Sequence, residues 1–170
     1  MLVLMLRLLL LLVCAQGLAP AYGAERIGDA VLLSALRDRT AVMNALQQDT
    51  LALVEAAPQN DRFDLYRTYD ALMGAWVQVG LSQQLLELSV SAVSSAEEDE
   101  IRTTLRDQAE FALWDLDQAR LDLESNVPDP SQSEYFRINE AIRSLLLEAR
   151  TIIGHVLAAQ CVQLQCAAGP

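Results

Sequence analysis

The chain has no lysine: all twelve of its fixed cations are arginines, and His155 is its only imidazole. One histidine removes several chemistries at once. A carboxylate-bridged di-iron centre takes Glu-x-x-His on each of two helices, and the residue three before His155 is Ile152. Covalent haem takes Cys-x-x-Cys-His, which is absent. Zinc or copper at the tail would need His155, Cys161 and Cys166 to converge, yet only residues three or four apart share a helical face. A non-covalent haem on His155 would want a methionine. Met43 would stand about nine positions, or roughly 13 Å, off level if the first and last segments are antiparallel, which leaves Met73 on another segment as the remaining axial candidate. Nor is there a strand–turn–helix elbow to hold a nucleophile, or a carboxylate placed by sequence to orient the histidine. The expectation is a non-enzyme with no metal and no cofactor.

Glycine and proline are scarce, at seven and five residues. No glycine-rich phosphate loop, repeat or low-complexity tract is present. After residue 23 the prolines fall only at Pro58, Pro128, Pro130 and Pro170, where they separate segments instead of breaking them. Positive charge is also short, since residues 24–170 carry eleven arginines against 23 acidic residues, a formal charge of −12. Such a surface repels phosphate backbones and anionic lipid, so neither nucleic acid nor a membrane surface is an expected partner. Arginine without lysine suggests GC-rich coding and hence a bacterial source.

The first residues set the expected compartment. "MLVLMLRLLLLLVCAQGLAPAYG" has one early charge, Arg7, then an apolar run from Leu8 to Val13, then small residues, which is the plan of a secretory signal peptide. Ala21 and Gly23 suit a cut before Ala24, so residues 1–23 are expected to be removed and residues 24–170 to form one periplasmic or secreted domain. A lipoprotein cut before Cys14 is less well supported, because Val13 stands where a small residue is required. An uncleaved anchor would need about 20 apolar residues, which the run does not reach.

Apolar residues then recur at three- and four-residue steps, the period of a helix. The first segment shows Leu32, Leu36, Met43, Leu46, Leu53 and Ala57. The second has one stripe, Leu65, Tyr69, Leu72, Trp76, Val79, Leu86, Val90 and Val93, interrupted by Gln83. A further stripe beside it comprises Tyr66, Met73, Val77, Leu81, Leu85 and Leu88, so this helix is expected to be the most buried. Asn60 or Asp61 could cap it. Ser95 with Glu98, or alternatively Ser94 with Glu97, forms a capping box that opens a third helix with Leu105, Ala109, Ala112, Leu116, Ala119 and Leu123 inward. One long helix through that joint is the alternative, because no proline enforces it. Ser131 with Glu134 is expected to open the last helix, whose heptad runs Tyr135, Ile138, Ile142, Leu145, Ala149, Ile152, Val156 and Ala159. Four segments of about thirty residues with short connections predict an all-α, up-down-up-down antiparallel four-helix bundle.

Cys161 and Cys166 are expected to bond to each other, the default in an exported chain. In an unbroken helix their α-carbons would be about 8.5 Å apart and point away from each other, so the bond predicts that the helix ends between them. His155 reads as a residue flanking the core.

The acidic third helix holds the candidate interaction patch. With Leu105, Ala112 and Ala119 inward, Phe111, Trp114 and Leu121 project toward water amid Asp107, Glu110, Asp115, Asp117, Asp122 and Glu124, and an apolar patch with a polar rim resembles a protein-binding surface. Alternatively, a wider core would cover Trp114. The preferred functional reading is a non-catalytic interaction or structural module of the bacterial envelope that binds itself or another envelope protein. The rival is a small-molecule or cofactor carrier using the interior near Tyr66, Tyr69, Asp70 and Trp76.

Overall fold

The computed structural model describes residues 28–59, 61–128 and 132–164. Four helices hold nearly all of them: α1 (Asp29–Ala56), α2 (Arg62–Ser91), α3 (Ser95–Ser125) and α4 (Ser133–Gln163). No strand occurs among the described residues. The signal-peptide region lies outside them, as do Asn60, Ser131 and Cys166.

The breaks have local causes. Ala57 precedes Pro58 and takes extended dihedrals, φ −72° and ψ 149°, because the proline ring disfavours a helical residue before it. Arg62 then turns back, its Nε donating to the Ala57 carbonyl at 3.0 Å, so a cation sits on the negative end of α1. Asp61 occupies the cap position of α2 without a side-chain cap bond. Between α2 and α3 the chain is extended, and the two helices are separate. Of the two expected boxes, Ser94 with Glu97 forms: the Ser94 hydroxyl accepts from the Glu97 N–H at 3.2 Å. The Glu97 carboxylate accepts from the Val93 N–H at 3.1 Å. The expected opening of α4 at Ser131 is corrected. The helix starts at Ser133 with Gln132 in the cap position and no side-chain cap bond. Glu134 is therefore only the second helical residue, and it pairs with Arg137 at 2.6 Å.

Successive helices pack side by side and α1 closes on α4, giving a four-helix bundle. Cross-helix pairs run in opposite directions along α1–α2 and along α3–α4: Arg37–Glu87 and Thr40–Gln83 join α1 to α2. Gln78–Gln108 ties α2 to α3, and Asp117–Arg150 and Glu124–Arg143 tie α3 to α4. Arg39 reaches Glu148 across α1 and α4.

Each helix gives the core one seam. In α3 it is the expected one, with Leu105, Ala109, Ala112, Leu116 and Leu123 buried and Ala119 half-buried. In α4 the strict heptad fails near its end: Ile153 and Gln160 are buried in place of Ile152 and Ala159. A straight helix turns once per 3.6 residues, so a 3.5-residue repeat slides about 20° per heptad and has shifted by one residue after three. In α1 the same slip buries Val54 beside a half-buried Leu53, while Thr50, one heptad after Met43, is buried and Leu46 is half-buried. The expectation that α2 is the most buried helix is overturned. Among the described residues ten of α4 are buried against eight of α2, and Tyr66, Val77, Leu81 and Leu88 of the further stripe of α2 face outward while Leu85 packs against the core. By length and composition α4 alone among the described helices could cross a membrane, but Ile138, Ile142, Leu146 and Ile153 line the core.

Buried hydroxyls on the seams bond within their own helix: Thr50 to the Leu46 carbonyl at 2.6 Å, Ser82 to Gln78 at 3.0 Å, Ser89 to Leu86 at 2.9 Å. They are satisfied without a partner helix. Arg102 is different. It is 6% exposed, and its guanidinium reaches Asp29 at 2.8 Å, Glu98 at 2.7 Å and the Gln160 carbonyl oxygen at 2.9 Å, joining α1, α3 and α4 at one end. Burial works against its charge, but Asp29 and Glu98 outweigh that and hold its pKa above the usual arginine value. Arg102→Ala leaves Asp29 and Gln160 without their donor and should cost about 3 kcal/mol in urea unfolding. A loss below about 1 kcal/mol would mean the pairing contributes little beyond an exposed ion pair.

Candidate interaction surface

With its core residues inward, α3 turns Trp114 to the opposite side. Trp114 is 58% exposed, Phe111 51% and Leu121 48%, so the three residues of the expected patch stand in water. The two rings pair at 5.9 Å between centroids with a 34° tilt, an offset arrangement that suits their quadrupoles. Leaving over half of an indole wet keeps roughly 100 Å² of apolar area in solvent, about 2.5 kcal/mol that only an outside partner could recover.

Charge around this patch is uneven, which sequence order alone does not reveal. On the side toward α4 the carboxylates are matched: Asp117 meets Arg150 at 2.8 Å, and Glu124 meets Arg120 and Arg143. Toward α2 they are not. Asp115 and Asp122, with Asp70 from α2, line a groove of about 340 Å³ whose single cation is Arg67 and whose floor is Ala71, Gly74, Ala75 and Ala119. No ion pair engages these three carboxylates among the described residues. Gly74 on the floor faces the Asp115 carboxylate, which a Cβ at that position would meet in ordinary van der Waals contact at 3.9 Å. The patch therefore has an aromatic ridge beside an uncompensated acidic trough.

The other sequence candidates do not gather. Tyr66 and Asp70 are exposed, while Tyr69 and Trp76 are half-buried. Leu36, Met43, Leu72, Leu116, Ile142 and Leu146 fill the bundle axis. The Trp76 Nε1 is buried without an acceptor. His155 is exposed on α4 whereas Met43 is fully buried in α1. Among the described residues no three His, Cys, Asp or Glu side chains are placed to hold a metal ion. Cys161 is half-buried, and α4 ends at Gln163, between Cys161 and Cys166.

A second groove, about 350 Å³, lies at the far end between Leu53, Pro58, Leu65 and Tyr135. The Tyr135 hydroxyl is within hydrogen-bond distance of the Thr68 hydroxyl at 3.2 Å and accepts from Asn126 at 3.0 Å. Burial pushes the Tyr135 pKa up. That phenol belongs to a network tying α2, the α3–α4 connection and α4 together.

No protein-family model, no curated protein and no solved structure matches the chain. The patch thus rests on its own geometry. Trp114→Gln should change unfolding free energy by no more than about 0.5 kcal/mol, as at other surface positions. Leu116→Ala, two residues away on the core side, should cost about 2–5 kcal/mol. Denaturant melts of the two variants check the contrast, and equal losses would place Trp114 in the core.

Proposed function

We propose that this protein is an exported, non-catalytic interaction module that captures a basic, amphipathic protein segment on the outer face of α3. The observation that carries the reading is the pairing of the Phe111–Trp114 ridge with the unmatched carboxylates of Asp70, Asp115 and Asp122. An aromatic anchor supplies contact area, and an acidic trough steers cationic side chains toward it and fixes their position. A partner arginine in the trough would gain from low competition by solvent cations and from the planar fit of guanidinium to carboxylate.

Export through a cleaved leader ending at Gly23 fits this role. So does a Cys161–Cys166 bond closing the end of α4, a proposal supported by the helix ending between the two residues. The interior carrier reading has less support, because its candidate residues Tyr66 and Asp70 point away from a filled axis.

The test uses a synthetic leucine–arginine amphipathic helix and its leucine–glutamate counterpart, read by Trp114 fluorescence in a Trp76→Phe background. The arginine peptide should bind with a blue shift, and binding should weaken as salt rises. Asp115→Asn and Asp122→Asn should each weaken it by about fivefold, or about 1 kcal/mol, and Trp114→Gln, read by the anisotropy of a dye-labelled arginine peptide, should abolish it. Equal binding of both peptides, or binding indifferent to all three substitutions, would overturn the proposal.

A further inference from the structure

We infer that the outer face of α2 is the contact surface for a second copy of this chain, packed antiparallel about a twofold axis at Val77. The face is apolar and open: Tyr66 is 49% exposed, Val77 and Leu81 42% each, and Leu88 53%. Its stripe continues through Asp70, Met73 and Gln84, so the positions are 66, 70, 73, 77, 81, 84 and 88. The steps are four, three, four, four, three, four, and they read the same from either end.

That spacing is compatible with a second copy as the occupant, and the charge distribution favours it. A contact between identical chains related by a twofold must be self-complementary, with each residue of one copy meeting its counterpart's partner on the other. An antiparallel copy centred on Val77 sets Tyr66 against Leu88 of the second copy and Met73 against Leu81 of the second copy. Val77 meets itself on the axis. The one charged position, Asp70, falls opposite the Gln84 amide, which can donate to it. The two Asp70 carboxylates stand about 21 Å apart along the helices, beyond effective repulsion at physiological salt.

Charge points the same way. From Ala71 to Leu86 the helix carries no ionisable side chain, although the chain as a whole is strongly acidic with a formal charge of −11. Two such molecules can touch only where neither brings carboxylates, and the centre of this face meets that condition. A basic partner would find nothing there to pair with. The contact is about 33 Å long and ~10 Å wide on each copy, roughly 700 Å² in total, below the ~1,200–2,000 Å² of a standard interface. The dimer is therefore reversible and concentration-dependent. It lies on a different helix face from the Trp114 ridge and has the opposite salt response, since screening relieves repulsion between two acidic bodies. Asp70 is common to this face and to the acidic trough, but the opposite salt responses and the separate effects of Val77→Asp and Trp114→Gln tell failure of one proposal from failure of the other.

Sedimentation equilibrium of the purified protein over a concentration series should show a monomer–dimer equilibrium that tightens with added salt. Val77→Asp, which sets two carboxylates against each other on the axis, should weaken it at least about a hundredfold while circular dichroism stays helical. Cysteine placement tests the geometry separately, with the parent protein as baseline for its native cysteines. Val77→Cys should cross-link to itself under mild oxidation. Gln84→Cys should not, but should cross-link when mixed with Asp70→Cys. A monomer at every concentration and salt overturns the inference, as does self-cross-linking of Gln84→Cys equal to that of Val77→Cys. Should Val77→Asp fail to fold, the cysteine series alone decides.

Discussion

A helix in a four-helix bundle can hand the core only about a third of its circumference, and most of this protein's surface follows from that limit. The seams of the four helices meet in a centre built of leucine, isoleucine and valine with Ala75, Ala109, Ala112 and Ala149 fully or almost fully buried among them. Small residues at those levels bring backbones close and leave the axis filled. A fixed seam width has no room for a second stripe. Apolar residues beyond the first seam must stay outside, whether or not anything outside receives them.

Directional bonds hold the ends of the bundle. At one end Arg102 links Asp29, Glu98 and Gln160; at the other the Tyr135 hydroxyl joins Thr68 and Asn126, and Asn126 donates to the Asp64 carbonyl at 3.1 Å. Between them the core contacts are apolar and tolerant of sliding by a turn, and the polar pairs there, such as Gln78–Gln108 and Asp117–Arg150, lie at the partly exposed margins. Fixed partners at both ends set the register that the middle leaves loose, and register places Phe111 and Trp114 beside the Asp115 trough.

Much of this was legible in the residues, and the failures have physical reasons. A capping box at Ser95 or Ser94 announced the start of α3, because a cap is a local interaction, and the structure forms it at Ser94 with Glu97. The offset of Trp114 from Leu105, Ala112 and Leu116 left two readings, an exposed patch or a wider core, and the structure leaves Trp114 exposed because the α3 seam is narrow and rich in alanine. The α4 seam was misplaced beyond Ala149, since a strict heptad accumulates angular error over a long straight helix. The stripe with Val77, Leu81 and Leu88 was read as core because sequence reports that a face is apolar and not which chain will bury it. Arg102 was passed over although it stands three residues before Leu105 on the seam, a charge in an apolar position that a buried ion pair would explain. The uneven matching of carboxylates around Trp114 depends on Arg143 and Arg150 from another helix, and no local pattern encodes it.

The two outer faces divide the labour by charge: α3 offers aromatic area beside unmatched carboxylates, and α2 offers apolar area with none at its centre. Both depend on the claim that these residues lie outside the core of a single molecule. Hydroxyl-radical footprinting of the dilute monomer tests that claim directly, because oxidation of each side chain reports its own contact with water. Tyr66, Leu81, Leu88 and Trp114 should be oxidised much faster than Met43, Leu72, Leu86 and Leu116. Equal protection of the two sets would contradict the account.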